Sequence, residues 1–210
     1  MYRYDSTLMS WVHLQTYERK RELRAQLLAL RNSHPPSELD SRSFRIKTRL
    51  IELPAMKYCR TLSTYLYIGS EVRTDGVVEW ALRDGKRVIV PITDKVNKRL
   101  IFSELRDPEH ELGKGNYGIR EPKPEFRRPV ALEEADVILV PGIAWDMQGY
   151  RIGYGAGYYD RSINSLKAHI MKLGLAYEFQ LLCKLPRLGF DRRVNKILTE
   201  DRVINTFPLT

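Results

Sequence analysis

The run Asp136-Val137-Ile138-Leu139-Val140-Pro141-Gly142, followed shortly by Arg151-Ile152-Gly153-Tyr154-Gly155-Ala156-Gly157-Tyr158-Tyr159-Asp160, constrains the fold of this chain more than any other feature. A short β-branched run stopped by Pro-Gly reads as a buried strand. Glycines at the alternate positions 153, 155 and 157 relieve the steric limit on backbone angles and let main-chain N–H groups approach an anion closely. The residues after Gly157 are compatible with a helix, whose N-terminus adds positive potential at the same place. Strand, glycine loop and helix in that order describe an α/β sheet with a ligand beyond a strand's carboxyl end. The loop is not a P-loop, because no Gly-Lys-Ser/Thr follows, and glycine alternation alone also fits a tight turn.

Periodicity along the chain extends this outline. Leu23, Leu27 and Leu30 fall on one helical stripe, while Lys20 and Arg24, four apart, share a different face. Pro35-Pro36 breaks the chain, Ser37 offers an N-cap, and Leu39, Ile46, Leu50 and Leu53 predict a second amphipathic helix. Strand-like runs at 64–68, 87–90, 136–140 and 170–175 alternate with helical stretches at 75–84 and about 157–168. That alternation predicts a three-layer α/β fold with a mostly parallel sheet and helices on both faces. Region 92–130 predicts a strand at 99–103 and then a long loop, a feature often tied to function. Glu71 follows the first strand, Pro91 closes the second and 141–160 follow the third, so the notable residues converge on one sheet edge.

A length of 210 residues suits one domain. Residues 18–210 are read as that domain. Residues 1–17, with Tyr2, Tyr4, Leu8, Trp11, Val12, Leu14 and Tyr17, are read as an ordered extension packed on it. No apolar run is long enough to cross a bilayer and the first residues lack a secretory signal, so a cytoplasmic protein is expected. Cys59 and Cys183 have no metal-ligand spacing; reduced thiols are the usual reading, with a disulfide left open. The net charge of +9 fits nucleic acid, an anionic cofactor or a basic surface. Acids are interleaved with the bases, as in Glu18-Arg19-Lys20-Arg21-Glu22, so nucleic-acid binding is a minor reading beside a polyanionic small molecule. His13, His34, His110 and His169 form no metal or nucleophile pattern, and no Ser/His/Asp or Cys/His constellation stands out.

The segment from Val140 to Asp160 resembles the signature of the 5-formyltetrahydrofolate cyclo-ligase family, also called methenyltetrahydrofolate synthetases. Lys20-Arg21-Glu22-Leu23-Arg24 resembles the family's basic helix, and Thr64 through Thr74 its strand and Glu-Val/Ile-x-Thr turn. Gly118-Ile119-Arg120-Glu121-Pro122, Gly174 through Gln180, Leu185-Pro186, Asp191 and Ile197-Leu198-Thr199-Glu200 match further blocks, so the similarity covers about residues 18 to 204. The chain departs from the pattern at Arg73, where an acid is common, at Tyr154 and Ala156, where some members have basic or glycine residues, and at Asn195, where the family has an acid.

The resemblance implies a fold of the NagB/RpiA/CoA-transferase type and ATP- and Mg2+-dependent closure of 5-formyltetrahydrofolate to 5,10-methenyltetrahydrofolate. Phosphorylation of the formyl oxygen would precede attack by N10, and the protein would supply alignment and charge neutralisation. By motif position, Lys20, Arg24 and Arg151 would contact ATP together with Ile152, Gly153, Tyr154, Gly155, Ala156, Gly157, Tyr158 and Tyr159, with Lys20 and Arg151 in electrostatic roles. Leu66, Glu71 and Tyr154 through Tyr158 would hold the folate, Glu71 accepting hydrogen bonds from the pterin, with Trp145 and Tyr117 as further contacts. Asp160 and Asp191 would hold Mg2+. The expected partner is a small molecule, 5-formyltetrahydrofolate with or without a polyglutamate tail, bound by a monomer with no membrane. A relative that only binds folate, pterin or nucleic acid, and another enzyme of the same architecture, are the competing readings.

Overall fold

The computed structural model describes residues 6–164 and 166–206, with side chains from residue 13 onward. Tyr2 and Tyr4, and the side chains of Leu8, Trp11 and Val12, lie outside the described residues. Three helices come first: α1 (Ser6–Ser33), α2 (Pro36–Ile51) and α3 (Pro54–Tyr58). Then follow β1 (Thr61–Ser63), α4 (Asp75–Arg83), β2 (Arg87–Asp94), β3 (Arg99–Leu105) and α5 (Pro108–Glu111). The middle of the chain holds β4 (Leu112–Lys114), β5 (Arg120–Pro122), β6 (Pro129–Val130), β7 (Val137–Val140), β8 (Ala144–Asp146) and β9 (Arg151–Ile152). It ends with α6 (Tyr158–Ile163), β10 (Met171–Leu175), β11 (Leu181–Leu182), β12 (Lys196–Leu198) and β13 (Val203–Asn205).

Eight strands form one sheet in the order β13-β12-β10-β7-β1-β2-β3-β6. Its five central strands, β12 to β2, are parallel, and β13, β3 and β6 are antiparallel additions at the two edges. Side chains alternate along the central strands. Val88, Val90, Val137, Leu139, Leu173 and Leu175 pack on α2, α3 and α4 through Leu39, Ile46, Leu50, Met56, Val77 and Val78. Ile89, Ile138, Val140 and Ile197 point the other way, toward Trp145, Val194 and Leu132. On this second face sit α6 and the small sheet β11-β8-β9. A sheet buried on both faces needs unbroken apolar strands, which is why Val137–Val140 carries no polar residue.

Several boundaries differ from the sequence reading. The first strand is Thr61–Ser63 and not 64–68: Thr64 N–H makes a final bond to Ile89 O, and Tyr65 and Leu66 then leave the sheet as a buried connection. β2 runs through Pro91 instead of ending there. The carbonyl of Ile89 faces β1, so by the two-residue period Pro91 also faces that side, where β1 has already stopped and a missing N–H leaves nothing unpaired. Ser37 caps nothing. Pro36 begins α2, and the Pro35 carbonyl takes the N–H groups of Glu38 and Leu39. α6 stops at Ile163, where Asn164 accepts a hydrogen bond from Arg192. Leu53 starts α3 rather than ending α2, Leu30 is 41% exposed, and region 92–130 is largely ordered into β3 to β6. Cys59 is buried and Cys183 exposed, both free, and burial pushes the Cys59 thiol up to about 11. No described helix is long and apolar enough to cross a membrane.

Candidate functional site

Beyond the carboxyl ends of β1, β2 and β7 lies a cavity of about 850 Å3, closed on one side by α1. Such a position and size are usual for ligand sites in α/β sheets. Every residue singled out from the sequence as an ATP, folate or metal contact lines it except Trp145, from Lys20 and Arg24 through Leu66 and Glu71 to 151–160 and Asp191. Tyr117 lines it as well. Trp145 does not: it is fully buried in the second core layer, so the folate contact expected of it is corrected. Leu14 and Tyr17, about half exposed, belong to the same continuous helix as Lys20 and line the cavity mouth instead of packing into the core.

One end of the cavity is built from two buried ion pairs. Lys20 Nζ donates to both oxygens of Asp191, at 2.6 and 2.5 Å, and Asp191 Oδ2 also accepts the Leu188 N–H at 2.7 Å. Arg151 donates to Asp160 Oδ1 at 3.2 Å and to the Arg192 carbonyl at 3.2 Å; the same Asp160 oxygen accepts the Arg192 N–H. Burial pulls the Arg151 pKa down, and the charges of Asp160 and Asp191 oppose that pull. Arg24 Nε donates to Gly153 O at 2.7 Å, fixing the helix to the glycine loop. Gly155 has φ +104, an angle that L side chains rarely adopt, so the loop's shape depends on glycine; a Cβ there would make ordinary contact with the Arg24 guanidinium at 3.4 Å. Among the described residues no group of three or more His, Cys, Asp or Glu side chains comes together.

The other end is apolar around a single acid. Glu71 is 5% exposed beside Leu66 and Tyr65, and its Oε2 accepts the Ile68 N–H at 2.9 Å. Burial raises its pKa, while that N–H, the Arg31 charge and the Tyr154 hydroxyl draw it back. Tyr158, beside Tyr117, lies at the rim. Arg31 escaped the sequence reading altogether. It follows Arg24 by two helical turns and shares the face of Lys20 and Arg24, so the spacing held the signal; the leucine stripe drew attention to another face. Of that stripe only Leu23 is buried, against Ala144, Ile152 and Leu185.

Other motif residues prove to be supports. Glu121 accepts the Thr93 N–H at the end of β2. Gln180 donates to the carbonyls of Gly142 and Ile143, holding the turn after β7. Asp146, wholly buried, accepts N–H groups of Gln148, Tyr150 and Leu185. Asn195 exchanges hydrogen bonds with the Lys172 backbone and stands outside the cavity lining, so the loss of an acid there leaves the cavity's charges unchanged.

The chain is also similar to proteins of known family. The chain is 30% identical to the 5-formyltetrahydrofolate cyclo-ligase of Mycolicibacterium smegmatis, covering 88% of this chain and 95% of that one. It is 28% identical to the Escherichia coli K12 cyclo-ligase, over 82% and 96% of the two chains. The NMR structure of Aquifex aeolicus 5,10-methenyltetrahydrofolate synthetase superposes with a TM-score of 0.79 at 32% identity, covering 91% and 94%. A synthetase from Mycoplasma pneumoniae shares the fold at a TM-score of 0.70 and 23% identity, over 86% and 98%. The profile of the 5-formyltetrahydrofolate cyclo-ligase family matches residues 16–200, and with that span the chain belongs to this family of ligases.

Proposed function

We propose that the protein cyclises 5-formyltetrahydrofolate to 5,10-methenyltetrahydrofolate with ATP and Mg2+, releasing ADP and phosphate. The observation that carries this reading is the division of one cavity into a cationic end and an apolar end with a lone buried acid. Lys20, Arg24 and Arg151 would neutralise phosphate charge, and the Gly153–Gly157 backbone would let the phosphates lie close. Asp160 and Asp191 suit a hard cation that keeps waters and phosphate oxygens as its other ligands. The metal supplies charge neutralisation. Before it binds, Lys20 and Arg151 occupy the two carboxylates.

At the other end Glu71 accepts hydrogen bonds from ring donors, and Leu66 and the loop tyrosines pack on the pterin. The protein's part is then alignment of the formyl oxygen with the transferred phosphoryl group. Growth of methenyl absorbance in the near ultraviolet, on mixing protein with 5-formyltetrahydrofolate, tests the reading. The rise should require both Mg2+ and ATP. A folded protein that gives no rise with intact substrate would move the assignment to a family member that only binds folate.

A further inference from the structure

Arg31 is 1% exposed and forms no salt bridge among the described residues. Burying a guanidinium without an ion-pair partner is costly, and a neutral side chain would fill the same space with less penalty. Its donors nevertheless tie three walls of the cavity together. Nε donates to Ser70 Oγ at 3.0 Å, on the residue before Glu71; one terminal nitrogen donates to the Gly142 carbonyl at 3.4 Å, in the turn after β7; the other donates to the Tyr154 hydroxyl at 2.8 Å, in the glycine loop. Because an arginine can only donate, Tyr154 receives that bond through its oxygen and keeps its own proton free for Glu71.

We propose that Arg31 is a positioning residue for the folate end of the site, fixing the Tyr154 hydroxyl and the Glu71 carboxylate so that the acid is aimed at the ring. The inference rests on the folate reading above and assigns the site a third cation on α1, in the helix's last turn, in addition to Lys20 and Arg24. It also gives Tyr154 a role: the charge comes from the helix and reaches the acid through a phenol. The groups facing Glu71 are Arg31 from α1, Tyr154 from the glycine loop, Tyr65 from the segment after β1 and Tyr159 from α6. Arg31 is the one cation in that set, so its removal raises the acid's pKa further.

The test is calorimetric binding of 5-formyltetrahydrofolate without nucleotide, from mildly acid to mildly alkaline pH, for the wild type, Arg31→Leu, Arg31→Lys and Tyr154→Phe. Arg31→Leu should weaken folate binding roughly ten- to hundredfold. It should also move the pH at which binding fails on acidification upward, with KM for ATP within about twofold of wild type, less than the change from losing one hydrogen bond. Arg31→Lys should restore part of both effects, and Tyr154→Phe should shift both in the same direction as Arg31→Leu. Wild-type protein that binds no folate would overturn the functional reading and this proposal with it. Wild type that binds, beside folded Arg31→Leu and Tyr154→Phe proteins of unchanged affinity and pH profile, overturns the proposal alone. Should Arg31→Leu fail to fold, an unchanged pH profile in Tyr154→Phe is the overturning result.

Discussion

A carboxylate held out of water, as Glu71 is, is tolerated by the fold and useful to a ligand. Its pKa is raised above the ordinary value by burial. Such a group contributes stability that is fully present below the ordinary carboxylate pKa and is lost as pH rises through the folded-state value. Glu71→Gln, which keeps an acceptor for the Ile68 N–H, should therefore melt higher than wild type at neutral pH, by roughly 2–4 °C for each kcal/mol relieved. Below the ordinary carboxylate range the difference should vanish, and folate binding should fall throughout. Thermal unfolding at two pH values and a folate titration check both halves; a lower melting temperature at neutral pH would refute the strain. Asp160 behaves oppositely, because it compensates a buried cation. Asp160→Ala leaves Arg151 with the Arg192 carbonyl as its remaining hydrogen bond and should cost about 1–3 kcal/mol along with turnover. Asp160→Asn should return most of the stability and little of the turnover, which separates pairing from metal holding in one denaturation curve and one kinetic assay.

Two kinds of glycine at the element scale call for different outcomes. Gly174 in β10 lies against Trp145 so closely that a Cβ would sit 2.5 Å from the indole, and the ring is wholly buried with no room to move. Gly174→Ala should cost about 1–3 kcal/mol by overpacking. It should leave KM for ATP and folate unchanged. Gly155→Ala should do the reverse, raising KM for ATP severalfold through a backbone angle that L side chains rarely adopt, with a smaller stability loss, about 1 kcal/mol. Steady-state kinetics beside a melting curve distinguish the two. The same contrast explains which elements the sequence made legible. β7 was readable because burial on both faces leaves an unbroken apolar run, and β10 because Lys172 alone interrupts one. β1 was misplaced because Tyr65, Leu66 and Ile68 look like strand yet serve as cavity wall, and hydrophobicity records burial without saying whether the backbone pairs. The two- and three-residue strands β8, β9, β11 and β6 carry too few side chains for any period to emerge.

At the scale of the whole molecule, most of the site was legible because its parts lie in contiguous motifs, the loop of 151–160 above all. What was hidden required distance: the Lys20–Asp191 pair spans 171 residues and the Arg31–Tyr154 bond 123, and no local pattern encodes either. Those long-range bonds also define how α1 is held. Beside Leu23 and Leu27 against the cluster of Ala144, Ile152 and Leu185, the polar side chains Lys20, Arg24, Arg31 and Asn32 tie it to the body among the described residues. Phosphates entering the cavity would meet Lys20 and Arg24, so nucleotide should fasten the helix to the glycine loop instead of merely filling space. Ligand that binds only the folded state at a hundred times its Kd adds about 2.7 kcal/mol. For a chain of this size that corresponds to a rise in melting temperature of roughly 5–11 °C. Mg-ATP should produce that rise, ATP with a chelator a smaller one, and Lys20→Ala should lose most of it while keeping the response to folate. Hydrogen exchange along residues 13–31 should slow in step with it. A full thermal response to Mg-ATP in Lys20→Ala, with no change in exchange along α1, would place the nucleotide away from this helix and leave the buried ion pairs with a structural role only.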